Sequence, residues 1–89
     1  MRQVAGCVVI KLERNDSKIL LVTEDNKEWG IPKGGIEPSE DPKDTAVRET
    51  YEETGIEVKT FGFLGAFGRL SVWWAFPIDP NIEPFVFDS

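Results

Sequence analysis

Residues 32–56 read Pro32-Lys33-Gly34-Gly35-Ile36-Glu37-Pro38-Ser39-Glu40-Asp41-Pro42-Lys43-Asp44-Thr45-Ala46-Val47-Arg48-Glu49-Thr50-Tyr51-Glu52-Glu53-Thr54-Gly55-Ile56. The second half of this stretch predicts a helix over Asp41–Thr54. Asp41 is a capping residue, and Pro42 suits the first turn, where its missing N–H costs nothing. Asp44 completes a capping-box-like spacing, and Gly55 fits the stop just past the last turn. Ala46, Val47, Thr50 and Thr54 make a short, weakly apolar stripe for the core. The first half, from Trp29 to Pro38, is rich in Gly and Pro and reads as a shaped loop with a short strand at most.

The helix carries Glu49, Glu52 and Glu53 at i, i+3 and i+4, so three carboxylates project from one face. Solvated, each pair of like charges costs a few tenths of a kcal/mol. Two accounts stand. An acidic helix face is most often simply solvated, and Arg48 to Glu52 at i,i+4 relieves it here. Alternatively, an oxygen-only cluster of three carboxylates suits Mg²⁺ or Mn²⁺, whose charge removes the repulsion. The loop before the helix favours the second account. Gly34 and Gly35 let backbone approach a ligand closely, and Lys33 offers a positive charge suited to a phosphate oxygen. Alone, such a Gly-Gly pair is more often only a turn.

On either side of this segment the pattern is of strands. Val4–Leu12 alternates between two largely apolar faces, Val4, Val8, Ile10 and Leu12 on one and Ala5, Cys7 and Val9 on the other, which predicts a buried strand. Asn15-Asp16-Ser17 is turn chemistry, Lys18–Glu24 reads as a hairpin partner, and Glu24–Lys27 as a polar turn. Glu57–Phe67 and Leu70–Ile78 read as two further strands joined at Gly68-Arg69. In the second, Leu70, Val72, Trp74, Phe76 and Ile78 share one face, with Trp73 on the other. The order β-β-loop-α-β-β predicts an α+β domain: one helix packed on a mixed or antiparallel sheet.

Composition narrows the chemistry. With 89 residues, the chain has room for one domain and a thin core. Sixteen acidic against 10 basic residues give a net charge of −6, which argues against broad nucleic-acid or anionic-membrane binding. There is no histidine, so a Ser-His-Asp triad and histidine zinc sites are excluded. The single cysteine, Cys7, excludes an internal disulfide and suits a reducing cytoplasm. Its reading is a small core residue. The longest apolar run, Val72 to Ile78, is too short to span a bilayer, and Met1-Arg2-Gln3 leads straight into a strand with no signal peptide in view. Trp29 either stacks on a base or fills core, core being the commoner fate. Arg69 reads as solvated surface, with a phosphate contact as the other reading.

Gly34, Glu40, Arg48, Glu49, Glu52, Glu53 and Gly55, with Ile56, resemble the Nudix box, G-x5-E-x7-R-E-U-x-E-E-x-G-U, where U is bulky and aliphatic. Thr50 departs from the pattern at the first U. Seven fixed matches arise by chance on the order of once per 10⁸–10⁹ starting positions. The resemblance implies an α/β/α sandwich-like fold, here abbreviated, and hydrolysis of nucleoside diphosphates linked to another moiety, with Mg²⁺ or Mn²⁺. It implies that Glu49, Glu52 and Glu53 hold the metal, that Arg48 orients a glutamate, and that Glu40 braces Arg48 by a salt bridge. Lys33, Gly34 and Gly35 become the substrate-binding loop, a backbone carbonyl at Lys33 or Gly34 a further ligand. The stretch Trp29–Pro38 is similar to that of diadenosine polyphosphate and diphosphoinositol polyphosphate hydrolases.

The resemblance also implies a longer fold, with a second helix behind the sheet and, in several members, a carboxylate some forty residues past the box, a position beyond Ser89. Residues 1–89 are thus expected to form a single domain whose C-terminal part is short. Trp73, Phe61, Phe63 and the patch Phe85-Val86-Phe87 would then lack cover, which predicts a homo-oligomer, a dimer first. The competing expectation for function is a Nudix-fold module that senses a nucleotide or pairs with a protein without hydrolysis.

Overall fold

The computed structural model describes residues 2–24, 28–82 and 86–88. Strand β1 (Val4–Glu13) is the spine. It turns at Arg14-Asn15 into β2 (Asp16–Ile19), pairing antiparallel from Glu13↔Asp16 to Ile10↔Ile19. The chain then leaves the sheet. Lys18–Glu24, expected as one hairpin strand, is two strands broken at Leu20, whose N–H still reaches the Val9 carbonyl at 3.0 Å. Beyond it β3 (Leu21–Glu24) joins a second, three-stranded sheet with β4 (Glu28–Gly30) and β8 (Val86–Asp88). The turn expected at Glu24–Lys27 lies mostly outside the described residues, as does Phe85. Leu20 is fully buried, in the core beside Val9 and Ala46, and burying its side chain there is the physical reason for the break.

Next, β5 (Lys33–Gly35) pairs antiparallel with the start of β1, Val4↔Gly35 to Gly6↔Lys33. Helix α1 (Pro42–Thr54) follows, then β6 (Val58–Phe67) and β7 (Leu70–Pro77). The first sheet runs β2-β1-β7-β6, with β5 also on β1; β7 is parallel to β1, and β6 forms the edge with two irregularities in its pairing to β7. This is the α+β architecture: a mixed sheet with one helix packed on it.

The helix forms where its local signals put it. The Asp41 side chain accepts the Lys43 N–H at 2.9 Å, and Pro42 occupies the first turn. Gly55 ends it at φ 76°, a left-handed conformation that an L side chain resists, and its N–H bonds the Tyr51 carbonyl at 2.7 Å. The inner face of α1 is small and partly polar: Thr45, Ala46 and Thr50 are fully buried. Thr50 discharges its hydroxyl into the Ala46 carbonyl at 2.8 Å, so no donor is stranded. Opposite lie Ala5, Cys7 and Val9 of β1 and Ala75 of β7, with Leu20, Ile56 and Val58 closing the core. Small residues on both sides bring the helix close to the sheet.

The register Cys7↔Trp73 and Val9↔Ala75 puts Trp73 on the helix side, where it packs partly buried against the core instead of lying uncovered. Trp74 and Phe76 share the other face with Phe61, whose ring lies 4.3 Å from that of Phe76 and 6.5 Å from that of Trp74. Phe61 and Phe63 are exposed as expected, along with Leu12, Phe67 and Ile78. Among the described residues no helix is long and apolar enough to cross a membrane.

Candidate active site

The site is organised by the guanidinium of Arg48. Its Nε and Nη2 donate to the two oxygens of Glu40, at 2.8 and 3.0 Å, a two-pronged match of planar groups. Nη2 also donates to the Gly35 carbonyl at 3.2 Å. The remaining edge, Nη1, donates at 3.1 Å to Glu49 Oε2 and at 3.1 Å to both oxygens of Glu52. One side chain thereby ties the turn, the β5 loop and two carboxylates of the helix together.

Glu40 is delivered by the turn Glu37–Glu40, closed by the Glu40 N–H on the Glu37 carbonyl at 3.0 Å, with Ser39 at φ 66°. Glu40 Oε1 further accepts the Thr45 hydroxyl at 2.6 Å and the Glu37 N–H at 3.1 Å. The hydrogen bonds from Arg48, then from Thr45 and the Glu37 backbone, hold the Glu40 carboxyl down at about 2. Glu40 in turn is the main reason that Arg48 holds its proton even more firmly than a free arginine, burial opposing.

The loop and the helix meet twice more. Glu53 Oε2 accepts the Lys33 N–H at 2.9 Å. Glu49 lies against Gly34 so closely that a methyl group there would overlap its carboxylate. A methyl there fits only if the Glu49 carboxylate moves aside. The Glu49 side chain is 17% exposed and that of Glu52 53%, so the acidic cluster grades from sheltered to open. Lys33 is exposed at the rim.

Every site residue expected from the sequence falls in one region: Lys33, Gly34 and Gly35 on β5, Glu40 in the turn, and Arg48, Glu49, Glu52 and Glu53 on α1. Their order differs from a ready-made metal cage. Among the described residues no three acidic side chains are gathered closely enough to enclose an ion; Arg48 supplies the positive charge that gathers Glu49 and Glu52. The donor set nevertheless fits a hard divalent cation in kind, being carboxylate oxygens alone, with Glu49 seated in the space Gly34 leaves free. The Gly35 carbonyl is turned to Arg48.

Other expectations sort plainly. Trp29 is 56% exposed and does not fill core, because β4 carries it in the second sheet, away from the helix. Arg69 is exposed and donates to the Arg2 carbonyl at 3.1 Å. Cys7 is buried in the core, and burial raises its thiol pKa, with the Thr50 hydroxyl opposing. The residue that sequence reading missed is Thr45, whose only signal was a polar residue on the inner face beside Ala46.

Comparison with known proteins agrees with this geometry. The mouse (Mus musculus) diphosphoinositol polyphosphate phosphohydrolase 3-alpha is 43% identical over 65 residues, covering 71% of this chain and 39% of the mouse protein. The human (Homo sapiens) diphosphoinositol polyphosphate phosphohydrolase 2 is 42% identical over 65 residues, covering 71% of this chain and 36% of the human one. The chain thus spans less than two fifths of the length of these relatives. Among solved structures, the C. elegans Ap4A hydrolase superposes with a TM-score of 0.73 at 26% identity, over 94% of this chain and 74% of that one. The family model described as the NUDIX domain matches residues 1–85, and the chain belongs to that family.

Proposed function

We propose that this chain is a divalent-metal-dependent pyrophosphohydrolase, acting on a dinucleoside polyphosphate or a related diphosphate. The observation that carries the reading is the Arg48 fork, which holds Glu40 with two donors while its third nitrogen draws Glu49 and Glu52 together beside a glycine loop. The names of the relatives, phosphohydrolases of diphosphoinositol polyphosphates and an Ap4A hydrolase, support the substrate class.

In this reading Glu49, Glu52 and Glu53 hold Mg²⁺ or Mn²⁺, which when bound supplies charge neutralisation of the diphosphate and an activated water. Gly34 and Gly35 admit the substrate close to the backbone, and Lys33 meets a phosphate oxygen. A carboxylate, Glu or Asp, takes the water's proton, since no histidine is present to do so. Arg48, fixed by Glu40, keeps the carboxylates oriented. The enzyme works in the cytoplasm, where the free thiol of Cys7 persists, and self-associates through the apolar sheet face that carries Phe61 and Phe76.

The test is hydrolysis of a diadenosine polyphosphate by the purified chain with Mg²⁺ or Mn²⁺, repeated after chelation. Turnover that disappears with EDTA and returns with metal supports the reading. Tight nucleotide binding with no turnover under any metal contradicts it and favours a binding module.

A further inference from the structure

Thr45 is fully buried on the inner face of α1, at a position that the box leaves unspecified. Its hydroxyl has one proton and two acceptors in reach: Glu40 Oε1 at 2.6 Å and the Asp41 carbonyl at 3.3 Å. The Asp41 carbonyl already accepts the Thr45 backbone N–H at 3.0 Å. The short contact to an ionised carboxylate is the stronger one, so the proton belongs to Glu40. The same helix shows what a threonine does without such a partner. Thr50 and Thr54 each turn their hydroxyl back to the carbonyl four residues earlier, at 2.8 and 2.6 Å. Thr45 reaches the carbonyl four residues earlier only at 3.3 Å and makes its short contact, 2.6 Å, to Glu40 instead.

The consequence lies in the Glu40 carboxylate. Arg48 grips both its oxygens, but Arg48 is itself a flexible side chain pulled by Glu49 and Glu52 on its other edge. Thr45 and the Glu37 N–H are the contacts that anchor Oε1 to the framework. Of the two, only Thr45 reaches it from the core side of the helix.

We propose that Thr45 is a positioning residue: its buried hydroxyl locks the plane of the Glu40 carboxylate and so aims the Nη1 edge of Arg48 at Glu49 and Glu52. The inference rests on the proposed function for its catalytic consequence, but its structural half stands apart from it. Removing the hydroxyl frees Glu40 to swivel, Arg48 follows, and the carboxylates lose their common anchor.

The test uses the full chain as wild type, Thr45→Val, Thr45→Ser and Thr45→Ala, each checked for a cooperative thermal transition. Proton exchange at the Arg48 Nε–H, read by ¹H–¹⁵N NMR, should be about 3- to 10-fold faster in Thr45→Val, the range expected for one lost hydrogen bond. Thr45→Ser should restore the wild-type rate. Metal-dependent hydrolysis of a diadenosine polyphosphate should show a lower kcat with KM unchanged in Thr45→Val, and recovery in Thr45→Ser. If Thr45→Val does not fold, Thr45→Ala carries the same comparison. Unchanged Nε–H exchange in the valine or alanine variant overturns the proposal, as does unaltered kcat in an active enzyme. Absence of turnover in the wild type would refute the proposed function instead, while faster exchange in Thr45→Val would still support the positioning role.

Discussion

At the scale of single residues, the Glu40–Arg48 pair makes a prediction about pH. The Glu40 carboxyl sits at about 2 in the folded chain against an ordinary 4.5. Its folded value is depressed, so its stabilising contribution is complete above the ordinary value and drains away as pH falls from about 4.5 towards about 2. Thermal melts of wild type and Glu40→Gln across this window should converge as pH falls, with the wild type the more stable only at the upper end. Parallel curves would mean that Glu40 is not held by Arg48. A second residue separates stability from function. Gly34→Ala pushes its methyl into the Glu49 carboxylate, which is the far end of a flexible side chain and can swing away. The cost in stability should stay below about 1 kcal/mol, at the low end of overpacking effects, while metal-dependent turnover falls sharply. Denaturant titration beside a rate assay checks both halves. The box residues were legible in the sequence because their types and spacing are fixed by charge and by space. Thr45 was not, because a threonine inside a helix usually binds its own backbone, and only the fold of the Glu37–Glu40 turn just ahead of the helix gives it another acceptor.

Among the elements, α1 was read to within one residue of its ends, since capping is local chemistry: Asp41, Pro42 and Gly55 act on their immediate neighbours. Asp41→Ala should lower stability by about 0.5–2 kcal/mol through the lost cap. Gly55→Ala should cost about 1–2 kcal/mol through left-handed strain. Chemical denaturation measures both, and a null effect at either position would contradict the observed helix ends. The strands were less legible. Lys18–Glu24 carries one continuous strand pattern, and nothing in it marks Leu20 as the point where the chain changes sheets. That break is fixed by Val9 and by the second sheet, both distant in sequence or direction. Trp29 misled for a related reason. Its size suggests core, yet the three-residue strand that carries it belongs to the smaller sheet, and its side chain is exposed.

For the whole molecule, two surfaces contrast. The helix side is sealed by Ala46, Thr45 and Thr50 against β1, while the opposite face of the large sheet shows Phe61 stacked on Phe76 with Leu12 and Ile19 open nearby. No described helix covers that face. Exposed apolar area of this kind favours association, and a net charge of −6 spread over the chain opposes it only weakly at physiological salt. Light scattering over a hundredfold dilution should show a dimer that dissociates at the low end. Phe61→Glu should shift the mass to monomer, and a monomer at every concentration would contradict the association.

The central claim is that the carboxylates gathered by Arg48 form a hydrolytic metal site. Hydrolysis of a panel of diadenosine polyphosphates, nucleoside triphosphates, ADP-ribose and diphosphoinositol phosphates, with Mg²⁺ or Mn²⁺, tests it most directly when Glu52→Gln is run beside the wild type. The account predicts metal-dependent turnover of at least one member, reduced about 100-fold or more in a folded Glu52→Gln variant. Equal rates in the two proteins, or no turnover of any member by the folded wild type, would contradict it.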